Sequence, residues 1–142
     1  MSLDKILSIS GKPGLYRLLT QTRTGFVAES LLDKKRLSVS VRNNVSVLSE
    51  IAIYTLDEEL PLREVFQKIL IKEKGGKTSI THKAEKIALE EYFLEILPNY
   101  DEDRVYASDI KKVIRWYNLL HENGITDFSA DDEDTSKSGE EE

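Results

Sequence analysis

The sequence predicts an α+β fold, in which a small SH3-like β-barrel of about five antiparallel strands precedes a three-helix domain and a disordered acidic tail. Two changes along the chain support this division. Apolar residues alternate with polar ones in the first third and recur at spacings of three and four afterwards. Near the end of the sequence large apolar residues stop and acidic residues dominate. We place the barrel at residues 1–56, the helical domain at 57–125 and the tail at 126–142.

The clearest strand pattern lies at residues 36–42, where Leu37, Val39 and Val41 share one face. Short strands joined by tight turns cannot form two packed sheets in so few residues, so a curled barrel that protects its edges is expected. A short apolar lead-in is expected to cover one end of this barrel: Leu3, Ile6 and Leu7. Further strands are expected between turn residues at 14–21, 25–32, 45–48 and, as a strand or part of a helical turn, 51–55.

Two helices are predicted in the first part of the helical domain. Pro61 can begin the first, because the missing N–H of proline costs nothing at that position, and Gly75 ends it. Ser79 or Thr81 can cap the second helix, which stops at Pro98. The apolar stripes are Leu62, Val65, Phe66, Ile69 and Leu70 in the first helix, and Ala88, Leu89, Tyr92, Phe93 and Ile96 in the second.

A third helix is predicted after Ser108, which can act as its cap, with Asp109 near its positive end. The sequence Asn-Gly-Ile predicts a Schellman ending, with Gly124 left-handed and Ile125 in contact with Leu120. Three helices that each bury one stripe are enough for a small bundle. The stripe of the third comprises Ile110, Val113, Ile114, Tyr117 and Leu120.

Charge is unevenly distributed along the 142 residues. The net charge is +4 over residues 1–56, −3 over 57–123 and −7 over 124–142, within a total of −6 at pH 7. The acidity is therefore mainly a property of the tail. An acidic chain argues against a dedicated nucleic-acid-binding protein, because phosphate contacts need clustered cations, but it leaves room for a basic patch on the first third.

Several classes of protein are excluded or disfavoured by composition. The absence of cysteine excludes disulfides, a thiolate nucleophile and cysteine-based metal sites. No apolar run approaches the ~20 residues of a membrane span, and the N-terminus lacks the apolar core of a secretory signal. We therefore expect a cytoplasmic, bacterial-type protein without membrane association. No motif predicts enzymatic activity, a cofactor or a metal site.

Three patterns that suggest chemistry have simpler interpretations. Residues 11–14 (GKPG) are too short for a phosphate loop, and Pro13 lacks the N–H that a phosphate cradle would use, so they predict a structural turn. His82 and His121 each lack a second ligand at a metal-binding spacing, and we expect solvated or capping roles. The acidic run that starts at Asn99 lacks the glycine and glutamate that a calcium loop needs.

The strongest functional candidates are basic residues in the predicted barrel and the single tryptophan. The turn at 34–36 resembles loops with which small barrels hold nucleic acid, although it also fits a solvated turn that discourages edge pairing. Trp116 lies beside the main stripe of the third helix, either as a contact between the two parts or as an anchor for a protein partner. The candidate binding surface comprises Arg17, Arg23, Lys34, Lys35, Arg36, Arg42 and Trp116.

Three segments resemble an uncharacterised bacterial family of unknown function: 7–16 (LSISGKPGLY), 24–31 (TGFVAESL) and 47–55 (VLSEIAIYT). The resemblance covers roughly residues 1–125. It implies a two-part design, with a small β-barrel head followed by a helical domain. It implies no activity, cofactor or catalytic residues.

The sequence favours a non-enzymatic binding or adaptor module that holds a protein or peptide segment. The alternative is a nucleic-acid-associated protein that uses the basic residues of 1–56, with the acidic tail competing for the same patch. The turn at 34–36 would serve nucleic acid, whereas Trp116 would serve a protein partner. An enzyme ranks third.

Overall fold

The structure is a computed structural model that describes residues 3–12, 14–40 and 44–128. A five-stranded antiparallel sheet has the order β4-β3-β2-β1-β5, and β6 and β7 form a separate two-stranded sheet. Short 3-10 turns lie at Leu3–Lys5 and Leu48–Glu50. The strands are β1 (Ile6–Ile9), β2 (Tyr16–Gln21), β3 (Gly25–Ser30), β4 (Arg36–Ser40), β5 (Val45–Val47), β6 (Ala52–Tyr54) and β7 (Glu59–Pro61), and the helices are α1 (Leu62–Lys72), α2 (Lys86–Ile96) and α3 (Ala107–Glu122).

One face of the five-stranded sheet buries a small apolar cluster of its own. All members of this cluster come from the sheet, with Leu37, Phe26 and Val47 packed around its buried centre. A register shift between Leu18 and Thr20 in β2 marks a bulge, which bends a strand and favours curling of the sheet around these side chains. The buried centre comprises Leu7, Ile9, Tyr16, Ala28 and Val39.

The closed SH3-like barrel predicted from the sequence is not found among the described residues. The strand order leaves β4 and β5 as the outer strands, and no hydrogen-bonded register joins them. Residues 41–43, which connect these strands and include Val41 and Arg42, lie outside the described residues. The α+β class, with an antiparallel sheet of five strands and three helices, is confirmed.

The fifth strand of the sheet is β1, which we expected only as a lead-in. Leu7 pairs with Tyr16 of β2 on one side and with Val47 of β5 on the other. The expected fifth strand at 51–55 instead forms β6, whose Ile53 pairs with Leu60 of β7. A four-residue strand is too short to show alternation clearly, so long-range pairing decides its place.

The three helices bury the predicted stripes. The α3 end is the Schellman motif expected at Gly124, since Ile125 N–H donates to the Leu120 carbonyl at 2.9 Å and Gly124 has φ +74°. At the α1 end both Lys74, with φ +55°, and Gly75, with φ +88°, are left-handed, and the Gly75 N–H donates to the Leu70 carbonyl at 2.8 Å, so the predicted glycine does end this helix. Leu70 and Ala88 are half-buried, and every other predicted stripe residue is buried.

Two helix starts differ from the prediction. Helix α2 begins at Lys86, so Ser79 and Thr81 lie in the preceding loop. Helix α3 begins before Ser108, and the Asp109 carboxylate accepts a hydrogen bond from the Tyr106 N–H at 3.0 Å. The start of α3 is therefore set by a local contact three residues apart, and before α2 the Thr81 hydroxyl accepts a hydrogen bond from the Lys83 N–H at 3.2 Å instead of capping the helix.

The main core unites the sheet and the helices. Ile6, Leu15 and Leu48 from the first third belong to the same buried cluster as the stripes of all three helices. Phe128, which we assigned to the tail, is 2% exposed, and its ring centroid lies 5.2 Å from that of Phe66. The predicted tail therefore begins too early at residue 126, and its residues 129–142 lie outside the described residues.

Candidate functional site

One groove runs along α3 and joins three cavities. The first and second cavities share Ser8, Lys112 and Trp116, and the second and third share His82 and Arg115. Because neighbouring cavities share lining residues, they form a continuous surface, which we call the α3 groove. Its opposite wall comes from β1, the β1–β2 turn, β5, β6 and the loop between α1 and α2.

The first cavity, called the apolar cavity, has a volume of about 290 Å³. Lys112, Asp109 and Arg104 are its charged lining residues, and the side chain of Arg104 lies 3.6 Å from the Asp101 carboxylate. Asp109 is engaged with the backbone of Tyr106. The apolar lining comprises Ile51, Ala52, Ile53, Leu62, Val105 and Val113.

The second cavity, called the cationic cavity, has a volume of about 390 Å³. Four cationic side chains line it, and none of the described residues in its lining is a carboxylate. The β1–β2 turn brings one of them, and this turn packs tightly because Gly14 has φ +75° and an added Cβ would lie 2.6 Å from Leu32. The four cations are Lys12, Lys111, Lys112 and Arg115.

The third cavity, called the loop cavity, has a volume of about 520 Å³ and lies against the loop between α1 and α2. This loop is tied to α3 by side-chain hydrogen bonds. Asn118 accepts from the Thr78 N–H at 2.9 Å and donates to the Thr78 hydroxyl at 2.8 Å, while the Tyr117 hydroxyl donates to the Gly76 carbonyl at 2.7 Å. These bonds place His82 and Lys83 at the groove.

Glu73 and His121 also help to hold the loop between α1 and α2 in place. Glu73 accepts hydrogen bonds from the Tyr92 hydroxyl at 2.5 Å and from the Ser79 N–H at 2.9 Å. Burial, followed by the nearby Glu73 charge, raises the pKa of Tyr117 to about 12. His121, for which we expected a solvated or capping role, lies with Nε2 2.8 Å from the Gly75 carbonyl. The loop is therefore held at several points along α3.

His82 lies between the cationic and loop cavities. Burial is the largest cause that lowers its pKa, and the positive charges of Arg115, Lys83 and Lys111 lower it further. The four cations that line the cationic cavity make the potential beside His82 positive. Lys12, Lys83, Lys111, Lys112 and Arg115 have no ion-pair partner within the part of the chain that the structure describes.

The predicted basic residues are divided between the two ends of β3, and at one end Arg17 and Arg36 both pair in register with Glu29. Arg23 lies in the β2–β3 turn, whereas Lys34, Lys35 and Arg36 lie at the other end of β3, about 20 Å away for a six-residue strand. Arg17 is in β2, paired in register with Glu29, and its buried Nε has no hydrogen-bond partner among the described residues. None of these five residues lines the cavities described above.

Trp116 is the predicted candidate that lies in the groove. It is half-buried, packs against the main core and lines both the apolar and the cationic cavity. Both roles expected from the sequence are therefore compatible with its position, because one part of the ring contacts the core while the rest borders the groove.

The remaining groove cations were missed by the sequence analysis. A local pattern was available, since Lys111, Lys112 and Arg115 precede Trp116 at spacings that place them on neighbouring rows of one helix. No local pattern connects these residues with Lys12 or His82, which reach the groove only through the packing of two distant loops.

Neither a metal site nor a membrane span is found in the described residues. No group of three or more potential metal-ligating side chains occurs there. Within the same ranges, none of the helices has the length and apolar character needed to cross a bilayer.

Comparisons with known proteins match the chain to domains of unknown function and to one solved structure. Residues 3–48 match a domain of unknown function, DUF5606, and residues 51–120 match a second domain of unknown function, DUF6852. No curated protein matches the chain. A Bacteroides vulgatus protein whose solution NMR structure was determined by the Northeast Structural Genomics Consortium is 48% identical, with 89% of this chain and 91% of that chain covered and a TM-score of 0.75.

The fold and the comparisons together define an α+β protein in which a small β-rich part is followed by a helical part. The chain belongs to the same uncharacterised bacterial family as the Bacteroides vulgatus protein. The resemblance inferred from the sequence is thereby confirmed.

Proposed function

We propose that the protein is a non-enzymatic binding module that holds an extended segment of a partner protein in the α3 groove. The observation that carries this proposal is the position of Trp116 between an apolar and a cationic cavity. Tryptophan is enriched among the residues that dominate binding energy at protein interfaces. A partner segment with an apolar side chain followed by an acidic one matches the two cavities in order.

The dimensions of the groove suit a short peptide. Its α3 wall extends from Asp109 to Glu122, which corresponds to about 20 Å along a helix axis. An extended peptide of about six residues has the same length. We therefore expect the recognised segment to be a short linear stretch rather than a folded surface.

The edge of the sheet supports the same proposal. Among the described residues β5 has one neighbour, β1, and its Ser46 lines the apolar cavity. Edge strands offer unpaired backbone groups to which an extended segment can add. Backbone pairing at β5 would supply affinity, while the cavities would select side chains.

Single-stranded nucleic acid is the competing ligand, because it also combines negative charge with rings that stack on tryptophan. A nucleic-acid strand carries a phosphate at every nucleotide and needs cations along its whole path. The apolar cavity provides Lys112, while its Arg104 is already paired with Asp101. This half of the groove therefore favours a peptide.

The non-enzymatic part of the proposal rests on the sequence. The chain has no cysteine, and its two histidines, His82 and His121, have no second ligand or nucleophile at a recognisable spacing. Turnover by the purified protein on a panel of hydrolase and transferase substrates, abolished by a single groove substitution, would refute it.

A peptide-display selection tests the proposal. Random peptides displayed on phage are selected on the full-length protein, and the enriched sequences are synthesised and titrated by calorimetry. We expect apolar–acidic sequences whose affinity falls about tenfold in Lys112→Glu, which reverses a charge in the groove, and stays unchanged in Lys68→Glu, an exposed α1 position outside it.

Two kinds of result would contradict the proposed peptide site. No enrichment, or enriched peptides that bind both variants equally, would contradict a peptide site in the α3 groove. Binding of oligo-dT that is lost in Lys112→Glu, without any peptide binding, would replace the proposal by the nucleic-acid alternative.

A further inference from the structure

The cationic cavity carries more positive charge than a carboxylate ligand would neutralise. Lys12, Lys111, Lys112 and Arg115 line it, and its described lining contains no carboxylate. A carboxylate brings one negative charge, whereas a phosphate monoester brings about −1.5 to −2 at neutral pH and three acceptor oxygens. The charge of the cavity therefore favours a phosphate group.

The groups around the cavity also suit a tetrahedral anion in geometry. Arg115 can present two parallel N–H donors to one phosphate, and the lysines add separate point charges. These side chains approach from two directions, because Lys111 and Arg115 belong to α3 whereas Lys12 belongs to the β1–β2 turn. A volume of about 390 Å³ leaves room for the side chain that bears the phosphate.

His82, in the loop between α1 and α2, provides a titratable group that responds to charge in the cationic cavity. His82 lines the cationic cavity, and the charged groups that face it are Arg115 and Lys111 from α3 and Lys83 from its own loop. Burial, followed by these cations, lowers the pKa of its imidazole. A dianion placed among them would reverse this effect and favour the protonated imidazole.

We propose that the cationic cavity is a phosphate-binding subsite that accepts a phosphorylated serine or threonine side chain of the bound segment. This inference rests on the proposed peptide-binding function and names the chemistry of its ligand. The apolar cavity then holds a neighbouring side chain of the same segment, with Trp116 between the two.

Phosphate binding can be followed without labels. Trp116 is the single tryptophan of the chain and lines the cavity, so its fluorescence reports occupancy directly. The probes are inorganic phosphate, O-phosphoserine and, as a carboxylate control, glutamate. In parallel, NMR titration of the His82 ring gives its pKa with and without phosphate.

We expect saturable fluorescence changes with phosphate and O-phosphoserine, at least about tenfold weaker binding of glutamate, and a rise in the His82 pKa on phosphate binding. Arg115→Gln and Lys111→Gln should each weaken phosphate binding several-fold, whereas Lys68→Gln, outside the groove, should not. Thermal unfolding of each variant shows whether the fold is intact, and the exposed Lys111 keeps the test valid if Arg115→Gln does not fold.

Absence of a saturable change with phosphate, equal affinity for glutamate, or unaltered binding in both groove variants would overturn the inference. The outcome is separable from that of the proposed function. Phosphate binding without any selected peptide would leave the subsite in place and refute the peptide proposal, whereas peptide binding that phosphoserine does not enhance would refute the subsite alone.

Discussion

Replacing Phe93 by alanine tests the packing that holds α2 against the rest of the core. Phe93 is 0% exposed, and its ring makes an edge-to-face contact with Tyr100 at a centroid distance of 5.0 Å. Truncation of a fully buried phenylalanine costs about 3–5 kcal/mol, which includes the cavity left behind and the lost aromatic contact. With an unfolding entropy of about 0.3 kcal/mol/K for a chain of this size, a loss of about 4 kcal/mol lowers Tm by about 13 °C.

The adjacent residue provides a matched control. Leu94 lies about 100° around the same helix from Phe93 and is 46% exposed, so Leu94→Ala should cost less than about 1 kcal/mol. Both variants are measured by urea titration monitored by circular dichroism. A cost below about 1 kcal/mol for Phe93→Ala, or equal costs for the two substitutions, would show that the buried face of α2 is wrongly assigned.

Three further predictions concern the groove and the charged ends of the chain. Because burial and nearby cations lower the folded-state pKa of His82, the folded state loses stability as the pH falls from about 6.5 through that lower pKa. The free energy of unfolding should therefore fall less between pH 7 and 5 in His82→Gln than in the native protein, and an equal fall in both would contradict the assignment. Asn118→Ala removes both hydrogen bonds to Thr78 and should lower the free energy of unfolding by about 1–3 kcal/mol. It should also speed amide hydrogen exchange in the α1–α2 loop but not in the sheet. Unchanged exchange would show that other contacts hold the loop. Deletion of residues 129–142, whose net charge is −6, should raise the affinity for O-phosphoserine several-fold at low salt. It should not do so at 1 M salt, where the Debye length is about 3 Å. Equal affinities of the full-length and shortened proteins at low salt would show that the tail does not compete.

Local sequence determined much of the helical part. The apolar stripe of each helix is visible as a spacing of three and four, and the predicted stripe residues Phe66, Phe93 and Tyr117 are all fully buried. The end of α3 was equally predictable, because glycine is favoured where the chain must adopt positive φ, as Gly124 does. Both features depend on interactions within a few residues.

The sheet was predictable only where a strand is long enough to show alternation. Leu37 and Val39 of β4 lie in one cluster as expected, and β2 and β3 lie within the predicted segments. The position of β1 between β2 and β5 could not be inferred, because a four-residue apolar stretch carries no period of its own. Whether the sheet closes also depends on the pairing of its outer strands, which local sequence does not specify.

The α3 groove shows most clearly which features follow from local sequence and which depend on tertiary packing. The sequence by itself determined that Trp116 lies beside the buried stripe of a helix, next to Lys112 and Arg115, because helical periodicity sets those neighbours. Only the tertiary structure decided that Lys12 and His82 meet this face, and that the basic residues Arg23 and Lys34 lie apart at opposite ends of a strand. Periodicity acts over a few residues, whereas the groove is assembled from segments about 30 to 100 residues apart, which only the packing of the common core brings together.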